Sequence, residues 1–220
     1  MKLDLHVQRL SMKNHTLFQK FLVIGLFLSV SGGIIAEPHG DSLEWELRKD
    51  KDGIQVYTRL HESAGILEYK AISVIEADLE QLVEIINDVD NYPSWTANCE
   101  SAEVIEVIND STRIEYMTTA VPWPLADRDV VLKFTAVEHT EDYFEAILTC
   151  EPDAVPEKDK YVRIIISEGT WIFKRIDDDQ VKIYHQFFSD PGEGIPMWIV
   201  NMFIVSGPYK TLLNLKKMCK

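Results

Sequence analysis

Six runs of strand-forming residues fill the middle of this chain, at 102–108, 112–121, 129–138, 143–150, 161–173 and 181–188. They are parted by Asn, Asp, Gly or Pro, and two partings, Asn109-Asp110-Ser111 and Asp177-Asp178-Asp179, are short enough for hairpins. Hairpin-joined strands pair antiparallel, whereas parallel neighbours need a crossover of a dozen or more residues. Nothing with helical spacing stands between these runs, so a doubly wound parallel sheet is excluded.

The flanks supply the helices. Asp41-Ser42 before LEWELRK reads as a short capped helix, with Leu43, Trp45 and Leu47 among charges. Asp52-Gly53 is a turn, after which Ile54, Val56 and Tyr57 begin a strand. Residues 66–76 form another, with Leu67, Tyr69, Ala71, Ser73 and Ile75 on one face. Asp78 then caps a helix whose Leu79, Leu82, Val83 and Ile86 fall at helical spacing, and Tyr92, Pro93 and Trp95 end it in an aromatic loop. From Pro196 to Lys220 the chain is apolar and then basic. Trp198, Met202, Val205, Tyr209 and Leu212 recur at three- and four-residue steps, one face of a long helix that Pro208 should kink and that Lys216, Lys217 and Lys220 suit at its end. The order is α+β. A long antiparallel sheet with one long helix curls around it, and an apolar cavity remains wherever the helix does not fill the concave face.

Charge narrows the partners. The 220 residues carry 36 acids against 22 bases, a net of −14, which argues against a phosphate backbone as partner. Phe21 to Ala36 is a stretch of sixteen uncharged residues, preceded by Lys13, His15 and Lys20 and followed by a polar break at Glu37. That is the form of a signal peptide removed near Ala36, with Met12 as an alternative start, and it implies an exported protein, periplasmic or secreted. Residues 37–220 then form one domain of 184 residues. Removing four bases and one acid leaves 18 bases against 35 acids, a net of −17. Such a chain does not rest on an anionic bilayer, and its membrane contact is transient. Cys99, Cys150 and Cys219 are too few for a disulfide framework and read as small hydrophobes.

No nucleophile elbow, zinc-protease helix, paired-cysteine motif or glycine-rich phosphate loop is present, so no cofactor or metal is implied. His61, His139 and His185 are single histidines in strand contexts, and Asp177–Asp179 reads as a solvated hairpin tip. More informative is Val121-Pro122-Trp123-Pro124-Leu125-Ala126-Asp127-Arg128-Asp129. Its two prolines force an extended loop, and Trp123 between them needs an apolar surface. Arg128 either fixes the following strand through a neighbouring carboxylate or places a cation near a cavity mouth.

With DGIQVYTR, DVDNYPSW, PWPLADRDVVLKF and YHQFFSDPGEGIPMWIVNMF in this order and spacing, residues 41–220 resemble a START (steroidogenic acute regulatory-related lipid-transfer) domain. The resemblance implies a helix-grip fold, in which a curved antiparallel sheet wraps a long carboxyl-terminal helix and encloses a lipid-sized tunnel. It implies binding or transfer of one hydrophobic molecule, without turnover; the chain itself is expected to be a monomer. Some members set a buried acid and an arginine on adjacent strands against the ligand's polar end. Glu115 holds the acid's position, but the matching arginine within the strand after Asp129 is absent, and Phe134 stands about there beside Lys133. Met117, Phe134, Phe187, Trp198 and Met202 are expected to line the tunnel. Glu115, Trp123, Arg128, His185 and Tyr209 complete the expected ligand set. Residues 189–196 read as a lid, and Trp95 and Trp123 as membrane-facing loops. The wider superfamily includes aromatase/cyclase enzymes, and that alternative needs polar groups such as Glu115, Tyr116 and His185 facing one another.

Overall fold

The computed structural model describes residues 44–61, 66–192 and 194–219. The signal segment at 1–36, its cleavage point and the Asp41-Ser42 cap lie outside the described residues. Ten strands are described: β1 (Glu46–Lys51), β2 (Ile54–Leu60), β3 (Leu67–Glu76), β4 (Cys99–Asn109), β5 (Thr112–Thr119), β6 (Arg128–His139), β7 (Tyr143–Cys150), β8 (Val162–Ile164), β9 (Ser167–Asp177) and β10 (Gln180–Ser189). With them stand the helices α1 (Leu79–Asn87), α2 (Tyr92–Trp95) and α3 (Met197–Met218). The curved sheet runs β1-β2-β3-β10-β9-β7-β6-β5-β4, antiparallel along that path, and α3 crosses β2 and β3. This is the α+β helix-grip expected from the hairpin-joined runs and the single long helix.

Three local expectations are corrected. Residues 46–51 form β1 and not a helix. Leu43, Trp45 and Leu47 stand two residues apart, which is the strand period. Asp52 and Gly53 take φ of 55° and 69°, the left-handed pair of a two-residue hairpin that requires a strand on each side. The 161–173 run is broken at the exposed Ile165 and Ile166. Its first part, β8, pairs parallel to β6 off the main path, and β9 then joins β7. Arg163 causes the break, because its side chain is drawn into Asp129 by two bonds of 3.0 and 2.9 Å. Finally, Tyr92 and Trp95 belong to a short buried helix. Trp95 is 2 % exposed, so it does not face a membrane.

The core occupies one end of the grip. α1 begins at Asp78, whose carboxylate accepts from the Glu80 N–H, and it buries Leu79, Leu82, Val83 and Ile86. Those side chains join Ile54, Phe134, Phe144, Phe173 and Ile183 of the sheet and Leu212 and Leu215 of α3. Along each strand the same inward face continues past this core toward the other end, beneath the first turns of α3, where the interior is hollow.

Candidate ligand cavity

A cavity of about 300 Å³ lies between the sheet, the first half of α3 and the loops at 120–127 and 190–196. Its roof is Ile199, Val200, Phe203, Ile204 and Gly207 of α3. Its walls follow the inward face strand by strand, with Thr119, Met117 and Glu115 on β5, Arg128, Val130 and Leu132 on β6, and Phe187 and His185 on β10. Two residues further along each strand the solid core begins, at Phe134 on β6 and Ile183 on β10. Glu115 and His185 therefore stand on the cavity floor.

Aromatic rings pave that floor. His185 stacks on Trp171 at 3.6 Å between centroids, Trp171 meets Trp95 edge-on at 6.2 Å, and Trp95 meets Tyr92 at 5.1 Å. Tyr69 Oη reaches His185 Nδ1 at 3.3 Å. Burial with no charged neighbour drives the His185 imidazole down to about 3, so it is neutral at physiological pH. Burial also pushes the Tyr69 and Tyr92 phenols up.

Glu115 is 0 % exposed. Its Oε1 accepts from Arg113 Nε at 2.6 Å and from Tyr92 Oη at 3.4 Å. Burial raises its carboxyl above the ordinary range, and the Arg113 guanidinium opposes that shift. Arg113 also donates to Asn87 Oδ1 at 2.8 Å and to the Ile86 carbonyl at 3.0 Å, and lies 3.8 Å over the Phe134 ring. The acid therefore has its arginine, but two residues back on its own strand. Phe134, standing where an arginine was expected, is the cross-strand partner of Arg113 and forms its bed.

A family model described as START domain matches residues 31–220. The chain belongs to the START domain family. This START domain is 24 % identical to the phosphatidylcholine transfer protein of Rattus norvegicus, over 84 % of this chain and 88 % of that one. It is 26 % identical to an uncharacterized protein of Pseudomonas aeruginosa, over 85 % and 89 % of the two chains. Among solved structures it is similar to a STAR-related lipid transfer protein fragment from Xanthomonas axonopodis, with a TM-score of 0.73, 28 % identity, and 80 % and 98 % of the two chains covered. Human StAR-related lipid transfer protein 5, 17 % identical with a TM-score of 0.71 over 84 % and 88 % of the chains, shares the fold.

The START cavity gathers five of the ten residues picked from the sequence, Glu115, Met117, Arg128, His185 and Phe187, and leaves five outside. Phe134 is buried beneath the floor, one inward position too deep. Trp198 and Met202 are 66 % and 46 % exposed on the outer side of α3. The inward stripe is Ile199, Phe203 and Gly207, one residue round the helix from the expected one. Tyr209 turns to the β1–β2 hairpin, where its hydroxyl donates to Asp52 and Lys49 Nζ sits 3.7 Å over its ring. Trp123, between its two prolines, is 91 % exposed and lines nothing. Arg128 does take its place on the wall, where its guanidinium donates to the backbone carbonyls of Ala126 and Pro191. It thereby ties the 120–127 loop to the 190–196 loop. Spacing missed Arg113, Trp171, Ile199 and Phe203. A register for β5 against β6 would have exposed the first.

Tyr116, the third group of the cyclase alternative, faces the opposite side of β5. Its hydroxyl donates to Asp129 Oδ2 at 3.0 Å, within a second cluster of Ile114, Val131 and Val155. The Glu115–Tyr116–His185 constellation is not assembled.

Proposed function

We propose that this START domain carries one lipid-class molecule in the cavity and passes it between membranes without chemical change. The observation that carries the reading is the hollow half of the grip, walled by apolar side chains and roofed by a helix that could lift from it. Each methylene transferred there contributes about 0.8 kcal/mol, so ten or so supply about 8 kcal/mol, and a longer chain is needed to offset the cost of association and leave roughly micromolar affinity. The family match and the lipid-transfer relatives support the same reading. Trp123 and Trp198 support brief membrane contact, because both are exposed on elements that border the cavity. Among the described residues no helix is long and apolar enough to cross a membrane. The uncharged 21–36 stretch supports export before the domain acts, and the strongly acidic domain acts as a monomer that visits bilayers rather than residing on them.

Native mass spectrometry of the exported chain, with lipid extraction in parallel, tests this. One lipid per chain, and vesicle-to-vesicle transfer slowed by Trp123→Ser and Trp198→Ser, is the expected result. An empty chain that no hydrophobic ligand stabilises would sink the proposal. The mature protein should begin at or near Glu37, and an amino terminus at Met1 or Met12 would refute export by cleavage.

A further inference from the structure

Of the five glycines described, four are accounted for by the protein itself. Gly53, Gly192 and Gly194 hold positive φ, and a Cβ at Gly169 would strike Phe187 at 2.2 Å. Gly207 is different. It sits in the interior of α3 with ordinary helical backbone, where glycine is less stable than alanine. A Cβ there would meet no atom within 4 Å beyond its chain neighbours and its own helix backbone. Gly207 also lines the cavity, and along the inward stripe the roof carries Ile199, then Phe203, then no side chain, then Thr211. Thr211 Oγ1 accepts from the Ala97 N–H at 3.0 Å, two residues beyond Trp95, so the bare turn belongs to the floor end. The cavity is therefore taller by a side chain at Gly207 than at the turn before it. Pro208 disfavours a β-carbon before it in helical backbone, which is reason enough for glycine there. The proline does not direct the space that results; the stripe does, and directs it inward.

We infer that Gly207 sets the width of ligand the cavity accepts, and that the ligand carries branches or fused rings at its buried end. This deepens the carrier reading and rests on it. An unbranched chain has one width throughout, so a chain that passes beneath Phe203 leaves a gap beneath Gly207. Such a gap forfeits the dispersion contacts of the atoms on both of its sides. Methyl branches or a ring edge reach the bare helix backbone and recover them. The selected class is therefore branched or polycyclic hydrocarbon, over straight-chain lipid of equal carbon count.

The test uses the full chain with phytol and eicosanol, alcohols of equal carbon count of which only phytol is branched. They are delivered together from cyclodextrin and counted as complexes by native mass spectrometry. The unaltered chain should favour phytol by about fourfold for each methyl branch seated beneath Gly207. Gly207→Ala should cut that preference about fourfold, the worth of one methyl group, and Gly207→Val should abolish it while eicosanol stays bound. Should Gly207→Val fail to fold beside Pro208, Gly207→Ala decides. Equal binding of the two alcohols by the unaltered chain overturns the width inference and leaves the carrier reading intact. Variants that weaken both alcohols alike would show that Gly207 serves the helix and not the ligand, which also overturns it. Binding of neither alcohol overturns both readings.

Discussion

Replacing Arg113 by methionine keeps most of the side chain's volume over Phe134 but strips Glu115 of its counter-charge. The carboxyl is fully buried, and the hydrogen bond lost, at 2.6 Å, is the shorter of the two to its Oε1. An unpaired carboxylate in that position is too costly to keep, so the variant must fold with Glu115 protonated. In the unfolded chain the same group titrates near ~4.3, so holding the proton costs about 1.4 kcal/mol per pH unit above that value. The penalty is then roughly 1 kcal/mol at pH 5 and roughly 3.7 kcal/mol at pH 7. Loss of the bonds to Asn87 and the Ile86 carbonyl adds about 1 kcal/mol each, independent of pH. The direction follows from burial: a folded value raised above the unfolded one stabilises fully below the unfolded value, and that stability drains as pH rises. Urea melts followed by tryptophan fluorescence at pH 5 and pH 7, in both chains, measure this. His185 contributes equally to both chains and cancels. The destabilisation should be larger at pH 7 than at pH 5, by at most ~2.7 kcal/mol, because the parent's own raised carboxyl bears part of the same cost. Equal losses at the two pH values would mean that Glu115 is already protonated beside Arg113, and the ion pair described here would be refuted.

Three other perturbations probe the frame around the cavity. His185 is held neutral far below its free value, so its stabilisation is complete above pH 6.5 and falls by about 1.4 kcal/mol per unit toward pH 3; His185→Phe should flatten the acid limb of a urea-midpoint profile, and an unchanged slope between pH 4 and 6 would count against it. A Cβ at Gly169 would stand 2.2 Å from Phe187 Cδ2 and 2.9 Å from the Gln186 carbonyl, with backbone on one side and a cavity wall on the other. Gly169→Ala should therefore cost about 1–3 kcal/mol and weaken ligand binding by displacing Phe187, whereas a thermal midpoint within a degree of the parent would contradict the packing. Arg163→Met leaves Asp129 charged at 1 % exposure, for a loss of ~3–5 kcal/mol. It also frees the carbonyls of Pro152 and Val155 that Arg163 now holds, so trypsin should cut faster at Lys158 and Lys160; unchanged cleavage would show that something else pins the segment.

The parts of the fold that show in the sequence are those fixed by local chemistry. The capping of α1 by Asp78, its four buried positions and the hairpin turns depend on neighbours within a few residues. β1 was legible too, since a two-residue Asp-Gly turn demands strands on both sides, but an acidic cap signal competed with it. β8 was not, because its break depends on Arg163 finding Asp129, thirty-four residues away. The face of α3 fails for a different reason. Residues 198–205 read WIVNMFIV and are apolar on nearly every side, so periodicity finds a stripe without saying which stripe meets the cavity. Only the C-terminal half, where Leu212 and Leu215 stand opposite lysines, settles that rotation.

The acid–arginine pair shows the same limit at the scale of one ladder rung. Read along β6, the absence of an arginine where Phe134 stands suggests a carboxylate without a partner. The register makes Arg113 and Phe134 direct neighbours, so the cation stands across the rung from the ring and lies over it. Glu115 is thereby balanced by a cation on its own strand and not by one on β6. An arginine on β5, two residues before the acid, approaches the carboxyl from the side of α1 and the core, through Asn87 and the Ile86 carbonyl. The register of one ladder rung, and not the order of residues along β6, therefore decides which group balances Glu115.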